Sequence, residues 1–136
     1  MLDDYVEGYL AAMDAVLAGA SPAAARLDRF FSAALESDAG SMADRCLVVK
    51  LAAEIADLSE DMREILARGV ASVSARLAVL LREGETDGSL VPQADPDNAA
   101  AQLYAQWLGA AIIAKLSREP APLAQALADT RTRFCR

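Results

Sequence analysis

The chain has 136 residues, enough for one domain that buries a core without disulfides or metals. Its formal charge of −7 gives no counterion-release drive toward a polyanion, which excludes DNA binding by the chain itself, and it has no basic amphipathic helix for anionic lipid. Apolar residues reach 54% while aromatics stay at 5%, because alanine is abundant; long Ala/Leu/Arg/Glu-rich stretches with few β-branched runs predict an all-α protein.

Apolar spacing and punctuation predict an antiparallel bundle of about six helices. The first covers residues 2 to 18, with Leu2, Val6, Tyr9, Met13 and Leu17 on one face, and stops at Gly19. Ser21-Pro22 is expected to cap the second, whose stripe is Leu27, Phe30, Phe31, Ala34 and Leu35; residues 37 to 41 then form a loop. The third, residues 43 to 57, is apolar nearly all round from Cys46 to Ile55, as a central, covered helix would be. Ser59-Glu60-Asp61 opens the fourth, with a hydroxyl cap and two acids at the positive dipole end. That helix is expected to run to about Arg82 with Met62, Leu66, Val70 (or Gly69), Val73, Leu77, Leu80 and Leu81 inward, ending at Gly84 before a turn from Glu85 to Pro92. Asp95-Pro96 starts the fifth, to Ser117, because Asp95 can accept from free N–H groups and Pro96 has none to leave unpaired. Its many alanines and Gly109 around one tryptophan suit close approach of another helix. Glu119-Pro120-Ala121-Pro122 breaks the chain, and Leu123, Leu127 and Phe134 mark a short sixth helix; Leu90-Val91 is too short to be assigned as a strand.

No apolar run approaches the length of about 18 residues that spans a bilayer, and the acidic start Met1-Leu2-Asp3-Asp4 is unlike a signal peptide, so a cytoplasmic protein is expected. Cys46 and Cys135 lie far apart without CxxC spacing, which suits a reducing compartment. Abundant alanine and cations that are nearly all arginine fit a GC-rich bacterial genome.

Three segments carry a resemblance. They are Asp44-Arg45-Cys46-Leu47-Val48-Val49-Lys50-Leu51-Ala52-Ala53-Glu54 followed by Leu58 to Arg63, the turn and cap from Gly84 to Asp97, and Tyr104-x-x-Trp107-x-Gly109. In this order they resemble the C-terminal domain of TetR-family transcriptional regulators, which often has Gly-x-Leu followed by Asp-Pro in the turn. The resemblance extends over essentially the whole chain and its motifs are mostly structural. It implies a domain that binds an inducer and dimerises through its last two helices, joined in a full regulator to an N-terminal helix-turn-helix domain. Residues 1 to 18 resemble the helix connecting the two, and no basic recognition helix precedes them. The chain would then be a truncated regulator or a stand-alone sensor domain, contacting DNA only through a domain it lacks. No DNA-binding role passes to any residue here.

Catalysis finds no support. The chain has no histidine, Ser59, Ser72 and Ser74 have no evident activating base, and no Gly-rich phosphate loop is present. The acidic pairs Asp3/Asp4 and Glu60/Asp61 fall at helix starts, where the dipole accounts for them. No metal or cofactor is expected.

By analogy with the family, a ligand pocket lies among helices two to five, with Phe30, Phe31, Met62, Tyr104 and Trp107 as apolar walls and Cys46 and Lys50 as polar points. Each aromatic also reads as plain core. Lys50 reads either as a counter-charge for an acidic inducer or as a snorkelling cation bridging Glu54. Related regulators often carry cysteine at the place of Cys46, some to sense electrophiles or oxidants. Arg45 and the helix start would lower its pKa, whereas the alternative is a small inert core residue. Cys135 is expected to be simply exposed. Leu103, Trp107, Ala110, Ala111, Ala114, Leu123 and Leu127 are the candidate homodimer face, with an intramolecular bundle as the competing account. Two other classes stay open: a helical interaction module that heterodimerises with a full-length regulator, and a small helical enzyme or carrier.

Overall fold

The computed structural model describes residues 2–35 and 59–136, and in these the chain forms five helices: α1 (Leu2–Leu17), α2 (Ala23–Ala33), α3 (Glu60–Asp87), α4 (Pro96–Ser117) and α5 (Ala121–Phe134). The helix expected over 43 to 57 lies outside the described residues, as do Cys46 and Lys50. The fold is all-α, as its composition predicts.

Three helix starts follow from local chemistry. Asp3 and Asp4 occupy the first turn of α1, where the helix dipole favours acids. The Ser59 hydroxyl accepts from the Met62 N–H at 3.3 Å to cap α3, and Asp95 Oδ1 accepts from the Asn98 N–H at 3.1 Å to cap α4, with Pro96 in the first turn. The fourth start differs from expectation. Ser21 does not cap α2; its first amides, Ala23 and Ala24, donate instead to Asp87 Oδ2 at 2.8 Å and Ser89 Oγ at 3.0 Å, from the far end of α3. Ser21 contributes only its carbonyl, which accepts from Arg26 Nε at 2.9 Å. The same guanidinium donates to the Leu17 carbonyl at 3.1 Å, satisfying an orphan acceptor where α1 ends.

The end of α3 also departs from the sequence reading. The helix continues through Gly84 to Asp87 and is closed by Gly88 in the left-handed region (φ 79°). Gly84 is instead a point of close approach. A Cβ built there would lie 2.3–2.5 Å from side-chain atoms of Leu90, whose amide donates to the Gly84 carbonyl at 3.1 Å. Leu90-Val91 forms no strand but a single antiparallel bridge, Leu90 to Cys135, with the Val91 amide donating to the Phe134 carbonyl at 2.7 Å.

Helix α3 packs against α1, α2 and α4, while α5 packs against α4 and α2. Their shared core holds Leu27, Phe31, Leu77, Leu90, Leu103, Trp107, Leu123 and Phe134, all essentially inaccessible. Burying such a side chain contributes about 1.5–3 kcal/mol. Along α3 the expected inward set holds from Leu66 onward, but Met62 is 38% exposed. Among the described residues no helix is long and apolar enough to cross a membrane.

Candidate functional site

A cavity of about 490 Å³ opens between α1 and α2. From α1 it takes Asp4, Tyr5, Gly8, Tyr9, Ala12, Met13 and Val16, positions spaced so that they share one face of a helix. The last turns of α2 supply Phe30, Phe31, Ala33 and Ala34, and Tyr104 reaches in from α4. Met13, Phe31 and Tyr104 are buried and make the floor; Tyr9 and Phe30 are half-buried walls; Asp4 and Tyr5 stand exposed at the rim. Asp4 is the one charged side chain among the described lining residues.

Most of the chain's aromatic residues converge here. It has three tyrosines, three phenylalanines and one tryptophan, and all the tyrosines plus Phe30 and Phe31 line this cavity. Phe30 meets Phe31 edge to face, with centroids 5.0 Å apart. Behind Phe31, Trp107 stacks at 4.4 Å and an interplanar angle of 18°. Trp107 is itself fully buried, and its indole N–H donates to the Thr130 hydroxyl at 3.0 Å, which donates in turn to the Ala126 carbonyl at 2.8 Å. The floor is therefore fixed to α5 through a chain of satisfied polar groups.

Of the expected pocket residues, the structure brings together Phe30, Phe31 and Tyr104. Trp107 supports the floor without lining it. Met62 is exposed on the first turn of α3 and is not among the described residues that line the cavity. Among the described residues the cavity lies between α1 and α2 with Tyr104 of α4, while Cys46 and Lys50, the expected polar points, lie outside the described residues. Sequence reading followed the Leu2-Val6-Tyr9-Met13-Leu17 stripe and passed over the neighbouring Tyr5-Gly8-Ala12-Val16 face. A glycine in mid-helix with no capping role was the available signal. A built Cβ at Gly8 meets nothing within 4 Å, so the residue is adjacent to open space.

The residues expected at a dimer interface are mostly core. Leu103, Trp107, Ala111 and Leu123 are buried, as is most of Ala114, while Ala110 and Leu127 are half-buried. They join α4 to α3 and α5 within one subunit. The opposite face of α4 is the one left open: Ile112 is 44% exposed, Ile113 56% and Leu116 80%. This side of α4 is apolar in sequence too, while the smaller residues lie on the buried side.

Cys135 is half-buried rather than simply exposed, and burial pushes its thiol above the usual cysteine value, with Asp28 adding to the effect. It is the less nucleophilic for it. Among the described residues no cluster of His, Cys, Asp or Glu could hold a metal ion.

The comparisons with known proteins agree with this architecture. A family described as "Tetracyclin repressor-like, C-terminal domain" matches residues 23–130. The HTH-type transcriptional repressor NemR of Escherichia coli is 45% identical over 86 residues, 63% of this chain and 43% of that repressor. The transcriptional regulator AcuR of Cereibacter sphaeroides is 37% identical over 78 residues, 57% of this chain and 36% of that regulator. The chain thus matches less than half the length of either. Among solved structures, reduced E. coli NemR superposes with a TM-score of 0.89 at 35% identity, covering 98% of this chain and 70% of that one. A putative regulator of the TetR/AcrR family gives 0.84 at 37% identity, covering 96% and 69% respectively.

Proposed function

Since the chain belongs to the Tetracyclin repressor-like C-terminal domain family, we propose that it is the effector-sensing and dimerising part of a bacterial TetR-like regulator. The observation that carries this reading is the aromatic-walled cavity between α1 and α2. Its volume of about 490 Å³ falls within the range of small-molecule sites, and apolar walls with few polar groups are what such sites use. The effector is a small, largely apolar molecule. If Cys46 takes part, the effector is electrophilic and reacts with its thiolate.

Signal transmission follows from which helix forms the wall. Helix α1 lines the cavity with seven residues and touches α3 where Val6 lies over Gly69, 3.1 Å from a built Cβ. Asp14 and Arg76 tie the same two helices at 2.6 Å. An occupant that prefers one setting of α1 over another shifts the balance between them by its differential affinity. In a complete regulator α1 is the lever to the DNA-binding head, and DNA contact belongs to that head.

Dimerisation is assigned to the open apolar face of α4, Ile112, Ile113 and Leu116. Such a contiguous exposed patch favours association with another chain. A full-length relative could occupy the same face, and that heterodimer is the second reading. Native mass spectrometry tests both. The purified chain is expected to be a homodimer, and Ile112→Glu with Leu116→Glu is expected to give a monomer with unchanged helical circular dichroism. A monomeric unsubstituted chain would remove the homodimer and favour the heteromeric reading.

A further inference from the structure

We propose that Gly109 is the point at which two copies of the chain cross, α4 of one lying against α4 of the other with this glycine close to the twofold axis. This deepens the homodimer reading and rests on it. Charge is the first observation. From Asn98 to Ala114 the helix carries no charged side chain, although 24% of the chain is charged. Asn98, Gln102, Ala105, Ile112 and Ile113 are nevertheless exposed, as is Leu116 one turn further on. A helix face that meets water is normally rich in charge, and this one has none. Two copies each at −7 repel at long range, so they meet best where neither sets bare acids against the other. Asp129, the acid of α5 beside this face, is already engaged within the subunit. Gln106 Nε2 donates to one of its oxygens at 3.3 Å and Gln125 Nε2 to the other at 3.1 Å.

Spacing is the second. Gln102, Gln106, Gly109, Ile113 and Leu116 follow one another at alternating steps of four and three residues, the repeat that keeps one seam of a helix turned toward a partner helix. The third is the glycine itself. Glycine is unfavourable in mid-helix, and nothing described in this subunit requires it: the φ is not positive, and a built Cβ meets nothing within 4 Å. Gly69 and Gly84 differ, because Val6 and Leu90 of the same subunit lie against them. Gly109 opens instead onto the seam. Gln106 and Ile113 on either side would hold a second helix away, whereas the missing side chain lets it approach to the short end of the interaxial range, about 8 Å. A twofold axis sets a residue opposite its own counterpart, so one glycine per chain clears the crossing from both sides.

Gly109→Ala and Gly109→Leu grade the crossing. Sedimentation velocity over a dilution series of the purified chain gives the dimer dissociation constant, and far-ultraviolet circular dichroism reads the fold. The constant is expected to rise about tenfold in Gly109→Ala and further in Gly109→Leu. Helical signal should be kept or increased, since both residues favour helix more than glycine does. A constant unchanged or lowered by Gly109→Leu, with Ile112→Glu plus Leu116→Glu still giving monomers, would overturn the crossing and leave the α4 face as the dimer contact. A dimer that survives both sets of substitutions would overturn the crossing and the dimer face together. An unsubstituted chain that stays monomeric would also overturn both and leave the face to a heteromeric partner.

Discussion

Gly8 stands in the middle of α1, where glycine costs about 1 kcal/mol relative to a good helix former. No turn, positive φ or close neighbour requires it: it lies in a regular helix, and a Cβ added there would meet nothing within 4 Å. What it preserves is the volume of the cavity. Gly8→Leu should therefore raise the melting temperature by a few degrees, through about 0.5–1 kcal/mol of helix propensity, while abolishing binding of any cavity ligand. A thermal melt and a ligand titration on the same variant check both halves. Stabilisation with ligand affinity intact would show that the cavity does not hold the effector. Phe31 is under the opposite demand, being simultaneously floor and core through its stack on Trp107.

At the scale of elements, Gly84 shows how a helix can be misread. Glycine late in an apolar pattern suggests a stop, yet here the stop is Gly88 and the earlier glycine admits Leu90 against the α3 backbone. Gly84→Ala should destabilise the protein by about 1–3 kcal/mol, because Leu90 is fully buried and even its Cβ would be 2.5 Å from the new methyl. A Gly84→Ala, Leu90→Ala double variant should lose less than the two single losses added together, which a denaturation cycle would reveal. Helix starts at Ser59 and Asp95 were legible because their caps are three residues away. The start of α2 was legible at Ser21-Pro22 but its capping partners were not, because they are 64 and 65 positions distant and nothing local hints at them. The site divides in the same way. Phe30, Phe31 and Tyr104 were legible as large apolar residues at helical spacing. Of the α1 wall, Tyr9 and Met13 stood in the apolar stripe, but Gly8 and Ala12 did not, because they contribute space rather than bulk. Which side of α4 is covered was not legible, because the helix is apolar on both sides and only packing decides between them.

For the whole molecule, arginine–carboxylate pairs join the helices around the bundle. Asp14–Arg76 links α1 to α3, Arg26–Glu83 links α2 to α3, Arg82–Asp97 links α3 to α4, and Asp28–Arg131 links α2 to α5. Several are two-pronged: Arg82 donates to both Asp97 oxygens at 3.2 and 2.9 Å, and Arg131 to both oxygens of Asp28 at 3.1 and 2.5 Å. Hydrogen bonds from their arginines hold Asp14, Asp28 and Asp97 below the usual aspartate value. A carboxyl with a depressed folded pKa contributes stability that is whole above its ordinary pKa and is lost as the pH falls through the folded one. The melting temperature should accordingly drop as the pH is lowered below about 4. Replacing Asp14, Asp28 and Asp97 together by Asn should lower it modestly at neutral pH and flatten that acid slope. Parallel melts at neutral pH and near pH 3.5 read the difference, and equal slopes would show that these pairs do not set the acid sensitivity.

The turn between α3 and α4 does more than connect them. Asp87 and Ser89 complete the start of α2, while Ser89 and Val91 exchange backbone bonds with Arg136 and Phe134 at the end of the chain. The consequence is a shared dependence on one turn. The first two amides of α2 are satisfied only once a loop of more than sixty residues has closed onto Asp87 and Ser89, which costs entropy before it returns any contact. Phe134 and Arg136 bind the same turn from the other side of it in sequence. Segments from both halves of the chain therefore lean on a few residues between α3 and α4, and loosening that turn would loosen both.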